Sequence, residues 1–266
     1  MSYEHIVYDE ADGLVTVTIN RPEKLNALAA QTLEELIHAV DRVRDEGAAR
    51  ALLLTGKGRA FCSGADLTAG GSEEPRLPAG PPDAGAMLET LYNPLLERMR
   101  RLPVPLVVAV NGVAAGGGCG YALAGDIVIA ARSAYFLQPF ANIGLVPDVG
   151  STWMLPRLIG RARANAMMML GERISADQAA GWGMIYKAVE DDALMEEARA
   201  VALRLAAGPT RSYGLIRQGI ADCLEIGLTD ALALERRNQC VAGRTADHGE
   251  GVAAFREKRK PVFTGQ

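Results

Sequence analysis

The sequence predicts an α/β fold in which short strands alternate with helices and a helical region follows. Three observations carry that prediction: an opening β-hairpin, a series of apolar strand-length runs separated by helical stretches, and a last third patterned for helices. The hairpin is read from residues 6–9 and 14–20, which flank Asp12-Gly13, with Val15, Val17 and Ile19 alternating against Thr16, Thr18 and Asn20. Leu33, Leu36, Ile37 and Val40 then recur at helical spacing over 32–43, and Ala51-Leu52-Leu53-Leu54-Thr55-Gly56 follows as a buried strand. Strand, helix and strand in that order make a parallel crossover. The alternation returns from a helix at 87–102 into a strand at 106–110, and from a helix at 117–124 into a strand at 127–131. Such repeats suit a coiled superhelix of ββα units and an open doubly wound sheet alike. After Leu145 the helical candidates are 152–159, 162–170, 176–181, 192–206, 212–223, 229–240 and 246–258, with packing faces at 201–205 and 231–234. A boundary at Gly208-Pro209 divides a core of residues 1–207 from a C-terminal helical region of 208–266.

At 266 residues and 49 % hydrophobic content the chain is long enough to bury a full core. Its formal net charge is −4, with 28 basic and 32 acidic residues and no long run of either sign, so charge makes no case for nucleic acid or an anionic membrane as partner. The N-terminus lacks a charged-then-apolar signal pattern, and the apolar run 105–110 stops at Asn111, far short of a bilayer span; the cytoplasm is the expected location. Cys62, Cys119, Cys223 and Cys240 form no CxxC pair, and His5, His38 and His248 are scattered, so no metal site is expected. There is no GxSxG elbow and no GxxxxGK[ST] loop, and Gly116, Gly118 and Gly120 do not make the GxGxxG spacing. Serine-hydrolase, P-loop and dinucleotide-binding readings lose their main support.

Two glycine-rich turns remain, Phe61-Cys62-Ser63-Gly64-Ala65-Asp66-Leu67 and Asn111-Gly112-Val113-Ala114-Ala115-Gly116-Gly117-Gly118-Cys119-Gly120, each following an apolar run. Glycine lets backbone N–H groups approach a ligand with no Cβ in the way, so the pair reads as two halves of an oxyanion hole, or as plain strand-to-helix packing. Cys62 and Cys119 lie inside these turns with no histidine near them in sequence to act as base, and read as buried thiols. Residues 68–85 carry eight glycines and prolines and little that is apolar; leaving directly from the first turn, they read as a lid.

With both turns located, the chain resembles the crotonase superfamily, the enoyl-CoA hydratase/isomerase family, nearly end to end. Asn20-Arg21-Pro22-Glu23-Lys24-Leu25-Asn26-Ala27-Leu28 is similar to the family's coenzyme A loop, and residues 251–260 to its terminal helix. The resemblance implies a crotonase-like spiral of ββα units with a helical trimerisation region, an acyl-CoA thioester substrate, and a homotrimer or dimer of trimers. It implies no cofactor besides the coenzyme A of the substrate. By the same resemblance the oxyanion donors are the N–H groups of Ala65 and Gly117. Coenzyme A lies along Lys24, Leu25, Ala27, Ala65, Asp66 and Leu67, with Phe255 and Lys258 at its nucleotide end.

The departures from the family pattern bear on the reaction. Where typical hydratases hold their two catalytic glutamates this chain has Gly120 and Phe140, and water addition needs both a base and an acid. The carboxylate left to move a proton is Asp148. Read from its neighbours, Pro147-Asp148-Val149-Gly150 is a turn, and Asp148 is either a helix cap ahead of Ser151 and Thr152 or the acid. The resemblance favours the acid, since the family's single-acid isomerases, acting on Δ3,Δ2-enoyl-CoA or ring-epoxide thioesters, hold it at the matching place. Asp126 is expected to hold local backbone, and Asp66 to orient the first glycine turn or touch coenzyme A. Phe140 becomes an apolar wall of the acyl pocket, with Met87, Leu88, Leu91 and Tyr92. The expected function is acyl-CoA isomerisation. The alternatives are an enoyl-CoA hydratase, a hydrolase or dehalogenase with Asp148 as nucleophile, and an acyl-CoA binding protein without turnover. Glutamates returned to positions 120 and 140 are expected to bring back partial water addition.

Overall fold

The computed structural model describes residues 2–66, 83 and 85–266. Strands β1 (Ile6–Ala11) and β2 (Leu14–Ile19) pair antiparallel as the predicted hairpin, turned by Asp12 and Gly13, both left-handed. Helix α1 (Ala30–Asp45) buries Leu33, Leu36, Val40 and Val43 and returns the chain to β3 (Ala51–Gly56), wholly buried and parallel to β2. From β3 onward each turn of the chain lays one strand in each of two sheets. β3 is followed by β4 (Ala60–Cys62), then by α2 (Asn93–Arg100); β5 (Leu106–Val110) by β6 (Val113–Ala115) and α3 (Gly117–Leu123); β7 (Ile127–Ala131) by β8 (Tyr135–Leu137) and α4 (Ser151–Leu170). The chain then runs through β9 (Ile174–Ser175), α5 (Ala176–Gly181), β10 (Lys187–Val189), α6 (Leu194–Ala206), α7 (Thr210–Cys223), α8 (Leu228–Ala242) and α9 (Ala246–Glu257).

The larger sheet has the order β1-β2-β3-β5-β7-β10 and the smaller β4-β6-β8-β9. This is the spiral of ββα units, with two sheets fed in alternation instead of one sheet wound in two directions. Strands β4, β6, β8, β9 and β10 are two or three residues long, too short to show a period, and none was visible in the sequence pattern.

Two helices depart from simple periodicity for chemical reasons. The predicted helix at 87–102 opens with a wide π-turn over Leu88–Tyr92, and Pro94, which has no N–H to donate, stands at its junction with α2. Helix α4 is broken at Gly160 (φ 76, ψ 158), between the two helices read from the sequence. Helix α8 packs against α7, with Ala231 and Leu234 half-buried and Leu232 54 % exposed, so the packing face read at 231–234 is only partly covered within the chain. Among the described residues no helix is long and apolar enough to cross a membrane.

Candidate active site

Strands β4, β6 and β8 run parallel and side by side, so the segments leaving their C-terminal ends emerge at one edge of the smaller sheet. These segments are the two glycine turns and the stretch reaching Phe140. The turns touch: a Cβ placed on Gly64 would stand 3.1 Å from Ala115 O and 3.8 Å from Gly116 Cα. Gly116 has φ 53 and ψ −126, a backbone that a residue with a Cβ rarely adopts, and it is this bend that turns the chain from β6 into α3. Among the described residues neither Ala65 N–H nor Gly117 N–H has an acceptor, whereas the N–H groups of Ser63, Asp66, Cys119 and Gly120 all have one.

The Asn20–Leu28 loop lies against the first turn. Leu28 N–H donates to Gly64 O at 2.8 Å, Asp66 N–H to Leu28 O at 3.0 Å and Ser63 N–H to Leu25 O at 3.1 Å. Leu25 and Asn26 are both left-handed, held by the buried Asn26 amide, which donates to Lys57 O and Ala60 O and accepts from Arg21 N–H. Lys24 is exposed beside this loop, Leu25 is half-buried, and Ala27 is 7 % exposed. Asp66 pairs with Arg21 at 2.9 Å, which ties the first turn to the loop. Leu67 and most of the lid segment, residues 68–82 and 84, lie outside the described residues.

Phe140 and Val149 face the second turn. A Cβ on Gly116 would stand 3.4 Å from Phe140 Cζ, and one on Gly117 would stand 3.1 Å from Val149 Cγ2 and 3.5 Å from Tyr92 Cε1. Asp148 therefore sits one residue from the packing over Gly117. It does not cap α4: the cap position is Gly150, with no side-chain hydrogen bond. Its Oδ1 is buried without a hydrogen-bond partner, and burial pushes the carboxyl up to about 6. The Tyr92 and Tyr121 phenols share this interior and are themselves raised by burial; the Tyr121 hydroxyl donates to Tyr92 O at 3.0 Å.

Burial also pushes Cys62 and Cys119 up to about 12, which leaves both thiols protonated and poor nucleophiles near neutrality. Asp126 accepts from Leu106 N–H at 2.7 Å and from Arg217 Nε at 2.6 Å, the backbone-holding role expected of it. Phe255, 85 % exposed, lines a cavity of about 400 Å³ with Pro209, His248 and Phe263, and Lys258 closes α9 with φ 54. Neither Lys258 nor any residue of the 20–28 loop is among that cavity's walls, so Phe255 is not gathered with the loop there. Among the described residues no three His, Cys, Asp or Glu side chains are grouped to hold a metal ion.

Sequence reasoning missed three residues here. Val149 is a β-branched side chain in a left-handed conformation, which no local pattern announces. Gln138, 0 % exposed, donates from Nε2 to Ser151 Oγ at 2.9 Å, and its own Oε1 is buried without a partner. Gln138 stands in no motif that would have marked it, and Ser151 was read only as the start of a helix behind Asp148.

A two-sheet ββα spiral, with two glycine turns in contact at the strand ends, places the chain in a class of enzymes, and the chain belongs to it: the enoyl-CoA hydratase/isomerase family model matches residues 9–266. The chain is 47 % identical over 264 residues to the 1,2-epoxyphenylacetyl-CoA isomerase of Escherichia coli K12, with 99 % of each chain covered. It is 46 % identical over 270 residues to a probable enoyl-CoA hydratase of Rhodobacter capsulatus, with both chains covered throughout. In fold it is similar to a crystal structure from Mycobacterium abscessus assigned to enoyl-CoA hydratase/isomerase, with a TM-score of 0.91 and 36 % identity over 98 % of this chain and all of that one.

Proposed function

We propose that the protein is an acyl-CoA isomerase whose one proton-transferring group is Asp148. The observation that carries this reading is the state of that carboxyl: desolvated, with Oδ1 unpartnered, and next in sequence to the residue packed over Gly117. With its pKa at about 6 the group is mostly ionised near neutrality and still basic enough to remove a proton from carbon. In the proposed reaction the thioester oxygen accepts hydrogen bonds from Ala65 N–H and Gly117 N–H. Asp148 takes a proton from the carbon next to the thioester, and the electron pair moves into an enolate whose oxygen the two donors stabilise. The same carboxylic acid then returns the proton two carbons further along the acyl chain, so the double bond shifts and nothing is gained or lost. Removal of one such donor in other enzymes costs about 3–4 kcal/mol of barrier, which sets the scale of what the hole contributes.

Water addition is the reading less favoured by the site, because Gly120 and Phe140 bring no second carboxyl to activate water. The substrates we propose are a Δ3-enoyl-CoA or a ring-epoxide acyl-CoA, the latter supported by the likeness to the E. coli isomerase. Coenzyme A is proposed to run along Lys24, Leu25, Ala27 and Asp66, with Phe255 and Lys258 meeting its nucleotide end in a homotrimer or dimer of trimers. Support for assembly comes from the apolar residues that α7 and α8 turn outward, Ile216, Ile220, Leu224, Leu228 and Leu232. The test is a panel of 3-enoyl-, 2-enoyl- and ring-epoxide acyl-CoA read by mass spectrometry. Product of unchanged mass from the first or third supports the isomerase, and a gain of one water from the 2-enoyl thioester as the dominant activity refutes it.

A further inference from the structure

Gly120 lies in the middle of α3, where glycine weakens a helix by about 1 kcal/mol relative to alanine. The reason for it is spatial. A Cβ at this position would stand 2.5 Å from Val149 O, 2.8 Å from Val149 Cβ and 2.9 Å from Val149 Cγ1. The backbone of residue 149 is thus seated on the bare backbone of the helix. Val149 is itself in an unfavourable state, with φ 46, followed by Gly150 at φ 69. Ser151 N–H donates to Asp148 O at 2.9 Å, which closes a turn whose two central residues are both left-handed. Asparagine or glycine suits the first of these places, and a β-branched residue is among the worst for it. Strain of this kind persists only where the surroundings over-determine it. Here the surroundings are the first turn of α3: Val149 is 1 % exposed, and its Cγ2 would lie 3.1 Å from a Cβ on Gly117.

We propose that Gly120 and Val149 are positioning residues for Asp148: the Cβ missing at 120 lets the Asp148–Ser151 turn dock on the helix that presents Gly117 N–H, and Val149 wedges the two together. This rests on the reading of Asp148 as the proton-transferring group. Carboxyl and oxyanion donor are then parts of one packed unit. It follows that a side chain at 120 and this seat of Asp148 exclude one another. Glutamate at 120 therefore does not restore water addition, as the sequence had suggested it would; it unseats the acid the chain has. Among the described residues the titratable groups that interact with Asp148 are the phenols of Tyr92, on the turn before α2, and Tyr121, on α3, both raised by burial and neither titrating between pH 4 and 8.

The experiment compares Gly120→Ala, Val149→Ala and Asp148→Asn, together with Val149→Gly in the Gly120→Ala background, by kcat, KM, pH profile and thermal melt on the isomerase substrate. Gly120→Ala is expected to lose about 10- to 100-fold in kcat, the scale of a misplacement of roughly 1 Å, with KM within about threefold. The acidic limb of its pH profile moves down toward the ordinary carboxylate range as the displaced carboxyl regains water. Val149→Gly in that background removes the two side-chain contacts but leaves the 2.5 Å approach to Val149 O and also loses the wedge, so kcat is expected to stay low, and full recovery overturns the seating of the turn on Gly120. Val149→Ala keeps the backbone but loses the wedge, and reads the same role with no overpacking should Gly120→Ala not fold. Wild-type kcat and pH profile in either folded single variant overturns the positioning role, as does a kcat loss without a shift of the acidic limb. Full activity in Asp148→Asn instead overturns the acid reading and this role with it.

Discussion

At the N-terminal edge of the larger sheet, Glu35 of α1 is 1 % exposed, and its carboxylate accepts the N–H groups of Glu4, His5 and Ile6 at 3.1, 2.8 and 3.1 Å. The Gln31 amide adds a fourth donor at 3.0 Å. At the edge of the smaller sheet Asp148 is half-buried, with Oδ1 withdrawn from water and without a partner, and the backbone turn beneath it is closed by other atoms. A buried carboxylate saturated with donors belongs to the architecture; one left short of them holds acceptor capacity for something other than the protein. The contrast separates stability from chemistry in two groups of the same type, and it can be broken experimentally.

The largest effect is expected from Asp148→Asn. Isomerase kcat should fall by about 10²-fold or more, with acyl-CoA affinity measured by calorimetry within a few-fold. The same variant should melt higher than wild type at pH 8. A carboxyl whose pKa rises from 3.8 to about 6 on folding binds more protons folded than unfolded between those values, so folding becomes less favourable as pH rises through them and the penalty is complete above about 6. The advantage of the amide should vanish as pH falls to about 4. A lower melting temperature at pH 8 would mean that Asp148 serves the fold after all.

Second is the pH dependence of the unmodified enzyme. Protonation of the base below about 6 should lower kcat/KM close to tenfold for each further pH unit, and a flat profile down to pH 5 would break the link between the desolvated carboxyl and turnover. Third, Glu35→Gln should cost about 1–3 kcal/mol in denaturant unfolding, because an amide cannot accept all four donors and sets its own N–H against one of them. Its kcat should stay within about twofold of wild type, the converse of Asp148→Asn. The smallest effect is expected from Lys258→Glu: a few-fold rise in KM at unchanged kcat, since a nucleotide contact is made equally in ground and transition states. Unchanged affinity would place coenzyme A elsewhere.

Much of this arrangement was legible in the sequence, and unevenly so. The hairpin, α1, β3, β5, β7 and the two halves of α4 were read from alternation, from 3.6-residue spacing and from glycine. The two glycine turns stood out because backbone donors need that composition. Asp126 was read correctly as a backbone anchor. The stripe at 231–234 was read as a packing face but not what it packs against, because an apolar stripe tells only that something should cover it, not whether the covering lies in the same chain. Val149, Gln138 and Ser151 were missed because each acts through a neighbour distant in the chain.

What the sequence determined by itself were properties of single segments: the strands long enough to show a period, the helices and their glycine break, the residue types in each turn, and the absence of glutamate at 120 and 140. Only the tertiary structure decided how segments bear on one another. Pairing of β4 with β6, three residues each, sets the two glycine turns in contact across about fifty residues of chain. Seating of residue 149 on Gly120 leaves no room for a Cβ there and explains a glycine that looked, in sequence, like a loss alone. Periodicity and turn chemistry are local and can be read along the chain, but desolvation and close approach belong to pairs of segments and exist only once the chain has folded.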